Sequence, residues 1–313
     1  MTAKISNIAF YPIKSTAGIE IPSATLTPAG LVFGNYKDHE FMVVSNDRKF
    51  IDANRKGSYK SGLHYFITQR DKRSERDVEQ GLSRMALIKT QMDDGLLRLT
   101  WNYSDPIEVP YDRNSGGEIP VIIWEDEAQA VDQGDKLAEW FSDHLNLPLR
   151  LVKAAGPFRR MARQNYMENN NPINFHDAYP AHWFSAASVR QVCSIAQENI
   201  PWQSFRPQIV VSGVPPQYEH NVFYGGIAGI PFFNPKPCDR CSITLVEPGT
   251  GEVRGKEPLR SLAKYKKWKD RSGKIKVIFG ENMVPQGTGE INIGDEIVTY
   301  LFRDPPLVYG ANV

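Results

Sequence analysis

Apolar residues in this chain come in short runs set off by glycine, proline, asparagine and aspartate. That pattern predicts strands. In the first half the runs cover 5–11, 24–27, 41–45, 86–90, 96–101 and 119–124. The first ends at Pro12, which has no N–H to give to a ladder. Pro28-Ala29-Gly30 and Asn46-Asp47 supply turns, and Asp93-Asp94-Gly95 between two runs reads as a hairpin. One segment has helical spacing instead. Leu137, Trp140, Phe141, His144 and Leu145 fall on one face, with Asp135 as the expected cap and Asn146-Leu147-Pro148 as the stop. A strand over 149–153 follows.

The second half opens on an irregular stretch, 156–180, rich in Arg, Asn and Pro. Ser185 is expected to cap a helix to about Gln197, with Val189, Val192, Cys193 and Ala196 on its apolar face. Strands are expected over 208–212, 227–230, 242–246, 276–279 and 296–301. A third helix starts near Pro258 and carries Leu259, Leu262 and Tyr265. The pattern is that of a mainly β protein with a few helices, closed into barrels rather than spread in a doubly wound sheet. Neither GxGxxG nor GxxxxGK[ST] stands at a strand–helix junction, so the usual nucleotide-binding folds have no support.

Composition narrows the function classes. The 313 residues suffice for about two domains, expected over 1–150 and 151–313. The 37 basic and 36 acidic residues leave a net charge of +1. No global field draws nucleic acid or an anionic membrane, so neither is an expected partner. No apolar signal-peptide core follows Met1, and no run reaches the roughly 18 apolar residues of a membrane span. The cysteines are Cys193, Cys238 and Cys241. So few thiols suit a cytoplasmic protein. They cannot build a four-thiolate cluster or a disulfide framework.

Candidate chemistry concentrates at Pro237-Cys238-Asp239-Arg240-Cys241-Ser242. On the residues alone, four readings of this CxxC stand side by side. It could be half of a zinc site completed by His182 or His220. It could be a redox pair, which wants a helix after it where 242–246 reads as strand. It could be two small structural thiols. Or one cysteine could be a thiolate ligand to a soft metal whose other ligands arrive with a cofactor, with Arg240 beside Cys241 favouring the thiolate.

Five segments, in order along the chain, carry a resemblance. They are Tyr11-Pro12-Ile13-Lys14-Ser15, Phe205-Arg206-Pro207-Gln208 with Ser212-Gly213, Cys238-Asp239-Arg240-Cys241 through Glu252 with Lys256-Glu257-Pro258-Leu259, Phe279-Gly280-Glu281-Asn282, and Ile293-Gly294-Asp295-Glu296-Ile297. Together they resemble MOSC-domain proteins, in particular the YcbX-like and amidoxime-reducing-component-like members. The resemblance implies an N-terminal MOSC-like β-barrel region plus a C-terminal MOSC β-barrel, with a cofactor in the cleft between them. It implies molybdenum held by molybdopterin and by one protein thiolate. The ligand position falls on Cys241, which leaves Cys238 structural. Lys14, Ser15, Arg206, Gln208, Asp239 and Arg240 fall on cofactor-binding positions, and Asp177 on a position suited to a proton relay.

The implied function is a molybdenum cofactor-dependent oxidoreductase that reduces small N-hydroxylated compounds. Its electrons would come from an external or fused [2Fe–2S] donor. No cysteine follows Cys241, so no iron–sulfur cluster is expected within this chain, and 304–310 reads like a linker. The alternative is a non-catalytic carrier or binding module for a molybdenum or sulfur cofactor. Four departures alter the expected pocket. His39 stands where the family has a cofactor-binding arginine, Gln208 where it has asparagine, Ala178-Tyr179 where it has two hydroxyl residues, and Glu281 where it has glutamine. Two basic features remain. Arg159, Arg160 and Arg163 either line a pocket for an anion or belong to a solvated loop. Lys264, Lys266, Lys267, Lys269, Arg271, Lys274 and Lys276 around Trp268 form either a solvated face or a dock for an acidic electron-transfer protein.

Overall fold

The computed structural model describes residues 2–45, 62–70, 82–93, 95–102, 104–111, 116–156, 160–163 and 171–303. Asn46-Asp47, Asp94, Arg159 and the 304–310 tail lie outside the described residues. The chain forms two closed barrels, as its short apolar runs predict. The first runs Glu118–Ile123, Asp126–Asp132, Arg150–Ala154, Phe41–Ser45, His64–Phe66. It closes through parallel pairing of His64–Phe66 with Glu118–Ile123. Residue 150, where the first domain was expected to end, begins a strand of this barrel. Met42, Val44, Phe66, Val121, Ile123, Ala130 and Val152 fill its interior, with Phe175 among them.

All five residues of Phe41–Ser45 are buried because the strand is covered on both faces. Met42 and Val44 face the barrel interior. Phe41 and Val43 face a second cluster, shared with Leu137, Phe141 and Leu145 of the helix Asp135–Leu145.

The second barrel runs Ala181–Ser185, Ile209–Ser212, Ala3–Phe10, Glu296–Phe302, Val222–Ile227, Ile230–Phe233, Ile275–Pro285 and back to Ala181–Ser185. The first strand of the chain therefore belongs to the barrel built by its second half. Ser23–Thr27 also crosses over and pairs with Gly289–Asn292. Ser185 caps the helix Ala186–Ala196 as expected, its Oγ accepting from Ser188 N at 3.1 Å.

Four local expectations are corrected. Leu82–Leu87 is a 3-10 turn with Leu82, Met85 and Ala86 buried, so the strand starts at Ile88. Asp135 does not cap its helix. Gly134 holds the cap position, and the Asp135 carboxylate turns to Arg150 at 2.8 Å. Residues 227–230 are the corner of a hairpin rather than a strand. Ala228 and Gly229 both have positive φ, 47° and 79°, the geometry of a two-residue hairpin turn. Ser242–Leu245 is a 3-10 turn, not a strand, because Thr244 folds back so that its N–H and Oγ1 both donate to Cys241 O. Cys241 thus sits at the mouth of a short helical turn.

Candidate functional site

The two barrels are joined where the strand Ala3–Phe10 passes into residues 11–14. Phe41 N donates to Pro12 O at 2.9 Å and Lys14 N to Phe41 O at 2.8 Å. Those bonds stitch the segment to the first barrel while the strand before it stays in the second, and this brings Lys14 to the seam. Its side chain is only 3% exposed, and Nζ donates to Phe175 O at 2.7 Å and to Asp177 Oδ1 at 2.5 Å. Burial pulls the ammonium pKa down, against the pull of Asp177.

Asp177 is 66% exposed and also accepts from Trp124 Nε1 at 3.1 Å. Desolvation inside the cleft pushes its carboxyl up, but the Lys14 ammonium outweighs this and holds it well below the usual carboxylate range. A carboxylate this acidic accepts hydrogen bonds at neutral pH. The mobile proton of the pair rides on Lys14.

Asp38 is the hub of the seam. Its buried carboxylate accepts from Tyr11 N at 2.7 Å, His39 Nδ1 at 2.8 Å, His176 Nε2 at 3.2 Å and Gln208 Nε2 at 3.0 Å. The His39 and His176 rings stack with centroids 4.5 Å apart. Burial pushes the Asp38 carboxyl up, but the neighbouring His39 and the imidazole N–H bonds reverse this and leave it below the usual range. Asp38, His39 and His176 offer three ligand atoms within 4.8 Å of one another. Hydrogen bonds already bind them together, so they read as a polar hub rather than a metal centre.

Gln208 is engaged at both ends, its Oε1 accepting from His182 N at 2.8 Å while Nε2 donates to Asp38. Its longer amide spans the seam. His39 has no hydrogen bond at Nε2 among the described residues, and its ring lines the cleft.

The second barrel supplies two arginines. Arg206 Nη1 donates to Thr16 O at 2.7 Å, and its guanidinium lies 4.4 Å from the centre of the Tyr11 ring. Its Nη2 is buried with no partner among the described residues. Arg240 Nη2 donates to Phe205 O at 2.7 Å and Nη1 to Cys238 Sγ at 2.9 Å, while its buried Nε has no partner among the described residues. The guanidinium expected to act on Cys241 is therefore aimed at Cys238. Burial pushes the Cys238 thiol up, and Arg240 opposes that shift. Cys241 Sγ makes no hydrogen bond among the described residues and faces the cleft. Cys193 packs in its helix, its Sγ accepting from Ile200 N at 3.3 Å.

The nine positions that the resemblance brings to the site, Lys14, Ser15, His39, Asp177, Arg206, Gln208, Asp239, Arg240 and Cys241, line one cavity of about 390 Å³. Among the described residues six cations border it, Lys14, Arg70, Arg163, Arg206, Lys236 and Arg240, against the carboxylates of Asp177 and Asp239. Lys236 and Asp239 form an ion pair. Of the arginine cluster, Arg163 reaches the cavity. Arg160 is buried behind it and pins the 174–177 segment, with Nε to Asp126 at 2.6 Å and Nη2 to Asp177 O at 3.1 Å. Glu281 points away from the cavity. It is fully buried in the second barrel, bonded to His220 Nδ1 at 2.7 Å and Arg303 Nη2 at 2.8 Å. Its neighbour Asn282 lines the cleft instead.

Sequence reasoning passed over Asp38, His176, Trp124 and Lys236. An aspartate next to a histidine in a polar turn carries no signal of its own. His182 was weighed as a zinc ligand, but its Nε2 is spent on Phe279 O at 3.1 Å.

Burial pulls His176 down to about 4 and His182 down to about 3. The unfolded chain protonates both near pH 6.5, which the folded chain resists, so stability drops as pH falls below that value. At pH 5 the loss is about 2 kcal/mol per ring. The urea midpoint is expected to be clearly lower at pH 5 than at pH 7.5. Equal midpoints would contradict neutral burial of these rings.

Residues 2–72 and 77–148 match the family model of the MOSC N-terminal beta barrel domain, and residues 170–298 match that of the MOSC domain. The chain is 26% identical over 305 residues to the mitochondrial amidoxime reducing component 2 of Rattus norvegicus, covering 94% of this chain and 82% of that protein. It is 24% identical over 302 residues to the mitochondrial amidoxime-reducing component 1 of Homo sapiens, with the same coverage of 94% and 82%. The corresponding component 1 of Danio rerio is 23% identical over 303 residues, covering 95% of this chain and 85% of that protein.

Proposed function

This chain belongs to the MOSC-domain family, and from that premise we propose that it is a molybdenum cofactor-dependent reductase of small N-hydroxylated compounds. One observation carries the reading. The Cys241 thiol shares a cation-rich cleft with two buried guanidinium N–H groups, on Arg206 and Arg240, that have no partner within the described protein. A buried donor left unpaired costs about 1–3 kcal/mol. An anionic, phosphate-bearing cofactor would satisfy both, and a soft thiolate is the donor that molybdenum lacks once its dithiolene is in place.

Bound there, the cofactor supplies the two-electron chemistry at the N–O bond. The protein grips and orients it. Arg206 and Arg240 offer N–H groups already held in place by Thr16 O and Phe205 O, so little ordering is left to do on binding. Lys14 adds a buried positive charge and a proton at the cleft wall. Asp177 holds that ammonium in position, and Asp38 fixes the His39 ring while its Nε2 faces the cleft. The relay read at Asp177 is thus a Lys14–Asp177 pair. The overall reaction takes R–C(NH₂)=NOH, two electrons and two protons to R–C(NH₂)=NH and water.

The test is expression in a host that makes molybdopterin, followed by elemental analysis and an amidoxime assay with dithionite as reductant. Stoichiometric molybdenum with amidine formation is the expected result. Molybdenum without amidine would favour the carrier alternative, and the absence of both molybdenum and amidine would sink the reading.

A further inference from the structure

The near-neutral chain conceals one strongly uneven surface. Residues 267–276 carry Lys267, Lys269, Arg271, Lys274 and Lys276 against the single carboxylate of Asp270. They form a hairpin in which Lys267–Lys269 pairs with 275–277. Asp270 Oδ1 is committed to closing its turn, accepting from Ser272 N at 2.9 Å and Lys274 N at 3.0 Å. Lys269, Arg271 and Lys274 are exposed, and Ile275 among them is 54% exposed. An apolar spot ringed by like charges is the make-up of a docking face.

Its place in the fold ties this face to the cleft. The strand Ile275–Pro285 has the hairpin strand on one edge, with Lys267 opposite Val277. On the other edge Val277 O accepts from Arg240 N at 2.9 Å, and Asp239 lies opposite Ile278. The basic strand and the cysteine-bearing segment therefore flank one strand, two strand spacings or roughly 10 Å apart. Lys236, paired with Asp239 in the cleft, sets its ammonium 5.7 Å from the centre of the Trp268 ring in the hairpin.

We infer that the 267–276 hairpin is the docking site of an acidic one-electron carrier protein. This rests on the reductase reading, since a two-electron reduction in the cleft needs a donor that can bring its electrons close to it. Each turnover consumes two electrons, so two reduced carriers are each oxidised by one electron while water supplies the two protons. An acidic surface is steered to this face at low ionic strength and screened from it as salt rises.

The test uses a plant-type [2Fe–2S] ferredoxin as probe, with the full chain and the double variant Lys269→Glu/Lys274→Glu. Both lysines are exposed and outside the cleft. Binding of oxidised ferredoxin, measured calorimetrically, is expected to weaken at least tenfold in the variant and at least tenfold in the wild type between 20 and 300 mM salt, as order-of-magnitude effects of screened charge pairs. Ferredoxin-driven amidoxime turnover should fall in parallel, while dithionite-driven turnover stays within about twofold because the chemistry is untouched. No binding, or equal binding by both proteins, would overturn the docking site. Charge-dependent binding in a protein inactive with dithionite would leave the docking site standing and overturn the reductase reading.

Discussion

Cys241→Ser, produced in a molybdopterin-making host, is expected to fold and to retain less than about a tenth of the wild-type molybdenum. Loss of even a supporting group behind a ligand typically costs 10–100-fold in metal affinity, and a hydroxyl is a poor substitute for a soft thiolate. Folding should survive because the Sγ atom makes no hydrogen bond among the described residues and sits at the mouth of a 3-10 turn, where the backbone carbonyl of residue 241 does the structural work for Thr244. The informative control is Cys238→Ser. Its thiol is held by Arg240 at 2.9 Å, and a serine hydroxyl can accept that same bond. Cys238→Ser should keep its metal. Equal molybdenum in both variants would remove Cys241 as the ligand, and loss in Cys238→Ser alone would exchange the roles of the two cysteines.

Asp38→Ala is expected to destabilise the protein by about 3–5 kcal/mol, the range found when one partner of a buried charged network is removed. The carboxylate takes four hydrogen bonds from groups on both sides of the seam. Truncation would leave Tyr11 N, His39, His176 and Gln208 with buried donors and no acceptor. Asp38→Asn keeps one oxygen and should lose less. Urea denaturation followed by tryptophan fluorescence would measure both. A loss below about 1 kcal/mol for Asp38→Ala would mean that water replaces the carboxylate with little penalty and that the seam is looser than its hydrogen bonds suggest. The same variant should release His39, whose Nδ1 has Asp38 as its anchor.

Much of this architecture was legible in the chain, for identifiable reasons. The strand Phe41–Ser45 and the helix Asp135–Leu145 show in the periodicity because burial on fixed faces dictates where apolar residues fall. The cleft residues were found through the resemblance that five ordered segments carry, since the CxxC on its own left four readings open. What failed was local disguise. Ala228 is an apolar residue in a left-handed turn, so a hairpin corner looked like a strand. Thr244 is β-branched yet folds back on Cys241 O. What no local pattern could reveal was long-range pairing. Asp38 meets His176 and Gln208 from 138 and 170 residues away.

The placement of Ala3–Phe10 in the second barrel bears on how the molecule is made. Lys4 lies opposite both Ser212 and Glu296, so Ala3–Phe10 fills a gap that closes only when strands far along the sequence, Ile209–Ser212 and Glu296–Phe302, have been synthesised. Until then Ile209–Ser212 and Glu296–Phe302 each present a raw edge, the kind of template on which partly folded chains aggregate. Such contacts give a high contact order and a slow final step. The interval between synthesis of Glu296–Phe302 and closure of that gap is thus a vulnerable one.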